Sequence, residues 1–153
     1  MKLRWAALIG VFALSALAPR SASAQVILPG TGRDRGFGPE LGQNSPNPFV
    51  SETRMPFTVG DYPTCSDPSR VYRISLRVYN ILSQIVAVPV LQGGTGSVAG
   101  GAPLEGVELA CGQYTGYWDA KNSRTGQDAP PGIYLYRLEI DGRPVTKKMI
   151  RGG

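Results

Sequence analysis

The sequence predicts an all-β protein, built as an antiparallel β-sandwich of about seven short strands. Three observations lead to this prediction. Several segments alternate apolar and polar residues, which is the period of a strand with one buried face. Turn-forming residues separate these segments. The chain of 153 residues also contains 20 glycines and 13 prolines but few aromatic residues, a composition that favours strands and turns over helices.

Residues 1–24 have the three parts of a secretory signal peptide. Lys2 and Arg4 supply the positive start, an apolar run follows to Ala18, and small residues lead up to a cleavage site after Ala24. We therefore expect the mature chain to begin at Gln25 and to be exported to the periplasm, the cell surface or the extracellular medium. No later segment approaches the roughly 20 apolar residues of a membrane helix, so we expect no membrane span in the mature chain.

Charge and composition argue against several classes of function. Lys2, Arg4 and Arg20 lie in the signal peptide, which leaves 13 of the 16 basic residues against 11 acids, a net charge of +2. So small a surplus does not favour nucleic-acid binding. The chain has no histidine, which removes the commonest general base and a frequent metal ligand. We expect no enzymatic activity, no cofactor and no nucleic-acid partner.

The mature chain begins with a segment that has no strand pattern. Residues 25–43 combine glycine and charge without periodicity and predict a flexible lead-in. The folded domain is expected over residues 44–153. It starts with the turn Asn44–Phe49, whose prolines restrict the backbone and whose Phe49 can plug the base of a core. Alternating apolar residues then predict a first strand over Thr53–Val59.

The clearest alternation in the chain lies in Val71–Asn80. Its polar face carries Arg73 and Arg77, and it predicts a half-buried antiparallel strand with one wet face. After a short turn, Ile85–Leu91 is almost continuously apolar and predicts a more buried strand, interrupted at Pro89.

A glycine-rich segment, residues 92–103, separates these strands from the next. A phosphate-binding loop needs a following helix and usually a Lys-Ser/Thr pair, and neither is present, so we expect an inter-strand loop. Short strands are then predicted over residues 104–112 and 114–119.

The last third of the chain predicts a hairpin. In Gly132–Ile140 the residues at even positions from Tyr134 onward face one side and those at odd positions face the other. Asp141-Gly142 suits a two-residue hairpin turn, because such turns need positive φ. The return strand, residues 145–150, follows Pro144 and carries two lysines, which are features of an edge strand.

Cys65 and Cys111 are the only cysteines. An exported chain meets an oxidising environment, so we expect them to form a disulfide. Its loop of about 45 residues would contribute at most roughly 4 kcal/mol in the chain-entropy model. The alternative is a pair of free, partly buried thiols.

Five segments occur in the same order and at similar spacing in one known module. They are PNPF at Pro46–Phe49, LRVYNILSQIV at Leu76–Val86, YWDAKN at Tyr117–Asn122, PGIYLYRL at Pro131–Leu138 and KKM at Lys147–Met149. The chain thus resembles the immunoglobulin-like domain of the flagellar hook-capping protein (FlgD-like). That domain is similar to the type A C-terminal sorting domains of the type IX secretion system. The resemblance covers residues 44–149.

This resemblance implies an immunoglobulin-like sandwich and structural roles for the matching residues. Trp118 would plug the core and Asp119 would fix the turn behind it. The other motif residues with expected structural roles are Pro46, Asn47, Pro48, Phe49, Tyr79, Asn80, Gly132, Tyr134, Tyr136 and Met149.

The chain departs from the family pattern at several positions. Ser83 stands where the family usually has a turn glycine, and Ala120 stands where a glycine usually follows Trp-Asp. Cys111-Gly112 occupies an Ala-Gly position with Cys65 as its matching addition, which makes the disulfide a local elaboration. The ending Arg151–Gly153 also differs from the usual basic and apolar end of a sorting signal.

We expect an exported, non-catalytic structural, assembly or adhesion module that acts through protein–protein contacts. Sheet edges and the glycine-rich loop would supply those contacts. One alternative is a sorting or anchoring domain for type IX secretion, although only the short lead-in would then remain as cargo. A second alternative is a carbohydrate-binding module, in which Tyr79, Tyr114 or Tyr117 would form a stacking platform.

Acidic residues are the nearest candidates for acid–base catalysis or calcium binding. Glu105, Glu108, Asp119 and Asp128 would have to meet in a cleft for acid–base catalysis, yet they fall in turns and at strand edges. Asp119 with Asp128 is the pair that could bind calcium.

Intact-mass spectrometry on periplasmic, outer-membrane and culture-fluid fractions of the native host tests the export and disulfide predictions together. We expect a species that starts at Gln25, is two hydrogens lighter than the reduced chain and keeps its C-terminus. A product trimmed within the sandwich and found outside the cell would instead indicate a sorting signal.

Overall fold

The described structure, a computed structural model, covers residues 40–92 and 101–153. In these ranges it contains nine strands in two antiparallel sheets that pack against each other, which confirms the predicted all-β sandwich. The signal peptide, its cleavage site at Ala24 and Gln25, most of the lead-in and most of the glycine-rich loop lie outside the described residues.

The nine strands follow one another closely along the chain. They are β1 Glu40–Leu41, β2 Thr53–Val59, β3 Val71–Asn80, β4 Ile85–Ala87, β5 Val90–Gln92, β6 Val107–Ala110, β7 Gly112–Trp118, β8 Gly132–Ile140 and β9 Arg143–Arg151. Sheet A has the order β1-β2-β7-β5. Sheet B has the order β4-β3-β8-β9, with β6 paired to the first half of β3. β9 is therefore an edge strand, as the proline and lysines predicted.

Two differences raise the strand count from about seven to nine. The predicted strand Ile85–Leu91 is two strands, because β4 pairs with β3 in sheet B and β5 pairs with β7 in sheet A. The chain crosses between the sheets at Pro89, which has no N–H to donate to a ladder. Sheet A also begins earlier than expected, since Glu40–Leu41 at the end of the predicted lead-in pairs with β2.

The core lies between the sheets and is built from the alternating residues of the long strands. Ile74, Leu76 and Val78 of β3 are fully buried, as are Tyr136 and Leu138 of β8. Sheet A contributes the inward row of β2, and its residues are Met55, Phe57 and Val59. Removing this apolar surface from water is the main stabilising contribution, at about 25 cal/mol per Å².

The Trp118 ring packs against aromatic residues from two other segments that carry the family motifs. Its ring centroid lies 5.5 Å from that of Phe49 and 5.4 Å from that of Tyr134, both in edge-to-face geometry. Aromatic pairs of this kind contribute about 0.5–1.5 kcal/mol each beyond the burial of area. The indole N–H donates to the carbonyl of Lys121 at 2.8 Å, and the Asp119 carboxylate accepts the Lys121 N–H at 3.1 Å. Asp119 therefore holds the turn behind Trp118.

A buried polar network connects β8 to the segment that leads out of β1. The Tyr136 hydroxyl donates to the carbonyl of Gly42 at 2.8 Å and accepts the N–H of Asn44 at 3.0 Å. The Asn44 amide donates to the Thr53 hydroxyl and to the Pro46 carbonyl, each at 3.0 Å. Burial raises the pKa of Tyr136 above its ordinary value. The network fixes the path of the Asn44–Phe49 turn beneath the core.

The predicted disulfide is present. Cys65 and Cys111 are bonded with their Cα atoms 5.5 Å apart. The bond ties the loop between β2 and β3 to the junction of β6 and β7.

Four non-glycine residues in the described ranges adopt left-handed backbone conformations, namely Cys65, Ser83, Ala120 and Asp141. Ser83 has φ of +59° and Ala120 has φ of +57°, in the region that favours glycine. Both are positions where the resembled family usually has glycine. Asp141 and Gly142 also have positive φ, at +49° and +77°, as a two-residue hairpin turn requires.

Replacing Tyr136 with phenylalanine tests the buried network. The Asn44 N–H and the Gly42 carbonyl would lose their partner inside the protein, so we expect the free energy of unfolding to fall by about 1–3 kcal/mol. Urea denaturation measures this change. Tyr62→Phe is the control, because Tyr62 is 44% exposed and should change stability by less than about 0.5 kcal/mol. Equal stability of the two variants would show that the network contributes nothing.

Ser83→Gly tests the strained turn. Positive φ costs a residue with a Cβ atom about 1–2 kcal/mol, and glycine avoids this cost. Glycine also has more conformational freedom in the unfolded chain, which lowers the free energy of unfolding by about 0.5–1 kcal/mol. We expect a net gain in the free energy of unfolding of roughly 0.5 kcal/mol, measured by urea denaturation. The same substitution at Ser51, an exposed residue without positive φ, should bring no gain. A loss of stability in Ser83→Gly would contradict the assignment of strain.

Candidate interaction surface

Exposed apolar side chains are concentrated at one end of the sandwich. Eight large hydrophobic residues are exposed in the described ranges, and six of them lie together at the end where β3 and β9 finish. These six are Val50, Ile81, Leu82, Ile85, Ile133 and Ile150. We call this surface the apolar end. The other two, Tyr62 and Val71, lie at the opposite end, near the disulfide.

Strand register brings part of the apolar end together on the outer face of sheet B. Ile133 of β8 lies opposite Ile150 of β9. One row further along, Tyr79 of β3 lies between Leu135 of β8 and Ile85 of β4. Successive side chains of a strand point to opposite faces, and the chain neighbours of these residues fill the core. The apolar residues of the outer face therefore form a flat surface that spans four strands.

The turn between β3 and β4 carries the two most exposed members. Ile81 and Leu82 are 73% and 72% exposed. The Asn80 side-chain oxygen accepts the N–H groups of Leu82 and Gln84, each at 3.0 Å, and its amide donates to the Gln84 side chain at 2.9 Å. With Ser83 in the left-handed region, these bonds fix the turn. The two apolar side chains are thus held outward by a defined backbone.

The Asn44–Phe49 turn covers the C-terminal end of the free edge of β9, beside the apolar end. The N–H of Phe49 donates to the carbonyl of Ile150 at 3.0 Å, and the N–H of Ile150 donates to the Asn47 side chain at 3.0 Å. The Gln43 amide donates to the carbonyl of Lys148 at 3.1 Å. These bonds place Val50 next to Gly152 and occupy backbone groups at the C-terminal end of β9 that another strand would use.

The other described sheet edges are also poor templates for strand addition. β1 has two residues and β5 has three. At the edge of β4, the N–H of Ser123 donates to the carbonyl of Val86 at 2.9 Å, and the Ser123 hydroxyl accepts the N–H of Val88 at 3.2 Å. The edges that the sequence favoured as contact sites are therefore short or partly occupied.

A charged band borders the apolar end on the outer face of sheet B. Arg77 contacts Glu105 and, at 3.4 Å, Glu139, while Arg137 lies 3.1 Å from Glu139. The hydrogen bonds and the negative charge of Glu105 raise the pKa of Arg77. Two arginines and two glutamates thus balance one another, and the predicted wet face of β3 is a network of ion pairs.

A cleft at the opposite end contains several acids. It has a volume of about 510 Å³ and is lined in part by Asp61, Asp67 and Asp141. Asp61 accepts the Ser66 hydroxyl at 2.5 Å and the N–H of Ser66 at 3.1 Å, and Asp67 accepts the Ser69 hydroxyl at 2.6 Å. These hydrogen bonds lower the pKa of both carboxyl groups.

Asp141 accepts the N–H of Arg73 at 2.9 Å. All three acids of the cleft are therefore engaged in holding the loop between β2 and β3 and the hairpin turn. In the described ranges, no three or more Asp, Glu, His or Cys residues form a group that could hold a metal ion.

The three tyrosines considered for carbohydrate binding lie on separate surfaces. Tyr114 stacks on Phe57 at 5.8 Å between ring centroids and faces the core. Tyr117 lies on the outer face of sheet A, where its hydroxyl donates to Glu52 at 2.8 Å. This hydrogen bond raises the pKa of Tyr117. Tyr79 lies on the outer face of sheet B, so the three rings form no shared platform.

The four candidate acids lie in two separate places, with the two glutamates on sheet B and the two aspartates in one loop, where Lys121 and Asp128 form a β-bridge. Glu105 pairs with Arg77, and Glu108 lies opposite Arg73 in the register of β3 and β6. Asp119 and Asp128 are exposed in the loop between β7 and β8.

The motif residues divide between the core and the surface. Phe49, Trp118, Tyr134, Tyr136 and Met149 are buried. Tyr79 and Asn80 are half-buried, and the exposed ones are Pro46, Asn47, Pro48, Asp119 and Gly132.

Sequence reasoning did not identify the apolar end, although one signal was present. The β3–β4 turn reads Ile81-Leu82, where turns usually carry polar residues or glycine.

No protein-family model, curated protein or solved structure matches this chain significantly. The described ranges contain no helix that could span a membrane.

Proposed function

We propose that this protein is an exported, non-catalytic assembly or adhesion module that docks onto a protein partner through its apolar end. The observation that carries the proposal is the clustering there of six exposed large hydrophobic residues. Single exposed hydrophobic residues are ordinary, whereas a cluster of them marks an interaction site. Such side chains provide the water-excluding centre of a protein interface.

The rigidity of the surface supports docking. The Asn80 side chain fixes the β3–β4 turn, and the strand register fixes Ile85, Ile133 and Ile150. Association is less costly when the contacting groups are already ordered, because little conformational freedom is lost. The occupied edges favour recognition through this face rather than through an added strand.

The disulfide supports the exported location. Disulfides persist in oxidising compartments and are rare in the cytosol. Together with the signal peptide predicted from residues 1–24, the Cys65–Cys111 bond favours the periplasm, the cell surface or the extracellular medium.

A second candidate follows from where the motifs lie. Four of the five segments shared with the resembled family, all except Tyr117–Asn122, contribute to the apolar end or its border. If the chain is a sorting or anchoring domain, the same surface is the one that the export machinery would contact. Removal of the sandwich during export distinguishes this candidate from a permanent assembly module.

Acidic substitutions at the apolar end test the proposal. Leu82→Asp with Ile133→Asp places two charges in the centre of the proposed interface, so we expect at least a tenfold loss of the complex. The measurement is blue native electrophoresis of gently extracted envelope and secreted fractions from the native host. The control is Val71→Asp, because Val71 is 54% exposed at the opposite end and should leave the complex intact.

Thermal melting of the purified variants checks that they remain folded. Retention of the wild-type complex by the folded double variant would overturn the proposal, as would an equal loss in Val71→Asp. A truncated product outside the cell would favour the sorting candidate.

A further inference from the structure

We propose that a cleft on the sheet A side of the sandwich binds a neutral carbohydrate. The cleft has a volume of about 460 Å³, within the roughly 300–1,000 Å³ that is usual for ligand sites. It is lined by Val88 and Val90 around the start of β5, by Tyr117 at the end of β7, and by side chains of the β7–β8 loop. None of the six residues of the apolar end lines it, so the site goes beyond the proposed function.

Tyr117 gives the cleft an aromatic wall. On the outer face of sheet A it lies between Arg54 of β2 and Val90 of β5. The Arg54 guanidinium lies 5.7 Å from the ring centroid, and the Tyr117 hydroxyl donates to Glu52 at 2.8 Å. Groups outside the cleft therefore hold the ring, which would lose little freedom when a ligand packs against it. The faces of an aromatic ring are electron-rich, which suits the C–H groups of a sugar.

Polar side chains of the loop line the same cleft and keep hydrogen-bonding capacity. Asp119 accepts the N–H of Lys121 through one carboxylate oxygen, and its other oxygen forms no hydrogen bond with the described residues. The Asn122 side-chain oxygen accepts a backbone N–H of the loop, which leaves its amide hydrogens for a ligand. The Ser123 hydroxyl accepts the N–H of Val88 and can still donate.

The character of these groups favours a neutral ligand with many hydroxyls. Donors and acceptors lie side by side, and a hydroxyl group both donates and accepts. Among the described lining residues only Asp119 and Lys121 have charged side chains, so the charges balance. A phosphate or carboxylate group would face the Asp119 carboxylate, whereas sugar hydroxyls can bond to both residues.

An extended peptide suits the cleft less well. Such peptides often bind by adding a strand to a free sheet edge. Here the N–H of Leu91 in β5 donates to the carbonyl of Ala102 at 2.9 Å. In the loop, the N–H of Asn122 donates to the carbonyl of Gln127, and the N–H of Gly126 donates to that of Asn122, each at 2.8 Å. The cleft thus offers mainly side-chain groups to its ligand.

Affinity gel electrophoresis of the purified chain tests the proposal. Each gel contains one neutral polysaccharide, namely dextran, galactomannan, hydroxyethyl cellulose or the neutral polysaccharide purified from the envelope of the native host. We expect at least one of them to retard the chain relative to a gel without polysaccharide. Tyr117→Ala should weaken this binding about fivefold or more, because the aromatic wall is lost. Lys121→Ala should weaken it about threefold or more, the effect of one lost hydrogen bond.

Two variants serve as matched controls. Tyr117→Phe keeps the ring without the hydroxyl that binds Glu52, and Tyr62→Ala removes an exposed tyrosine at the opposite end. Both should bind within about twofold of the wild type. Thermal melting checks that every variant is folded. If Tyr117→Ala is unfolded, Lys121→Ala decides the outcome, because its side chain is exposed in the loop.

Three results would overturn the proposal. They are no retardation by any neutral polysaccharide, wild-type binding by either folded variant of the cleft, and retardation by dextran sulfate alone, which would indicate a basic surface instead. Tyr117-dependent binding of reduced and carboxymethylated lactalbumin, an unfolded chain, without binding of polysaccharide would assign the cleft to a peptide. The variant Leu82→Asp with Ile133→Asp should still bind polysaccharide, so failure of this site is distinguishable from failure of the proposed function.

Discussion

The contact of Trp118 with Phe49 and Tyr134 is the interaction on which the rest of the structure depends. Trp118 ends a strand of sheet A, Tyr134 lies near the start of a strand of sheet B, and Phe49 comes from the turn below them. Their mutual burial closes the base of the sandwich. Because Phe49 is held there, its backbone reaches the end of β9, and Val50 follows at the surface. The packing of the core and the shape of the apolar end thus have a common origin.

The sequence predicted most of the fold because alternation is a local property. β2, β3 and β8 have the predicted bounds, whereas the division of Ile85–Leu91 depended on which sheet each half would join. The apolar end could not be predicted from local sequence patterns. Both faces of β8 begin with apolar residues, and only the packing of the sheets decides that Tyr134 is buried while Ile133 is exposed. A pattern of two apolar faces is typical of a fully covered strand.

The apolar end differs from an aggregation-prone surface because its strand residues lie on a face of sheet B rather than along an open sheet edge. Open edges pair with almost any extended chain, because the backbone is the same in every protein. Here the apolar residues lie on a face whose backbone bonds are satisfied within sheet B, and the free side of β9 is engaged by Asn47 and Phe49. The exposed groups are side chains, which require a complementary shape. The arrangement favours selective contact over indiscriminate pairing.

The partly occupied edge of β9 limits strand pairing between copies of this domain that are crowded together. Asn47 and Phe49 occupy one end of the strand, and Pro144 at its other end lacks an N–H. Little uninterrupted backbone is left there for a neighbouring molecule to extend. Copies packed densely on a scaffold would collide often, yet each would find only the short stretch between Pro144 and Lys148 open for strand pairing. Such a layer could stay an array of separately folded units instead of fusing into a continuous sheet.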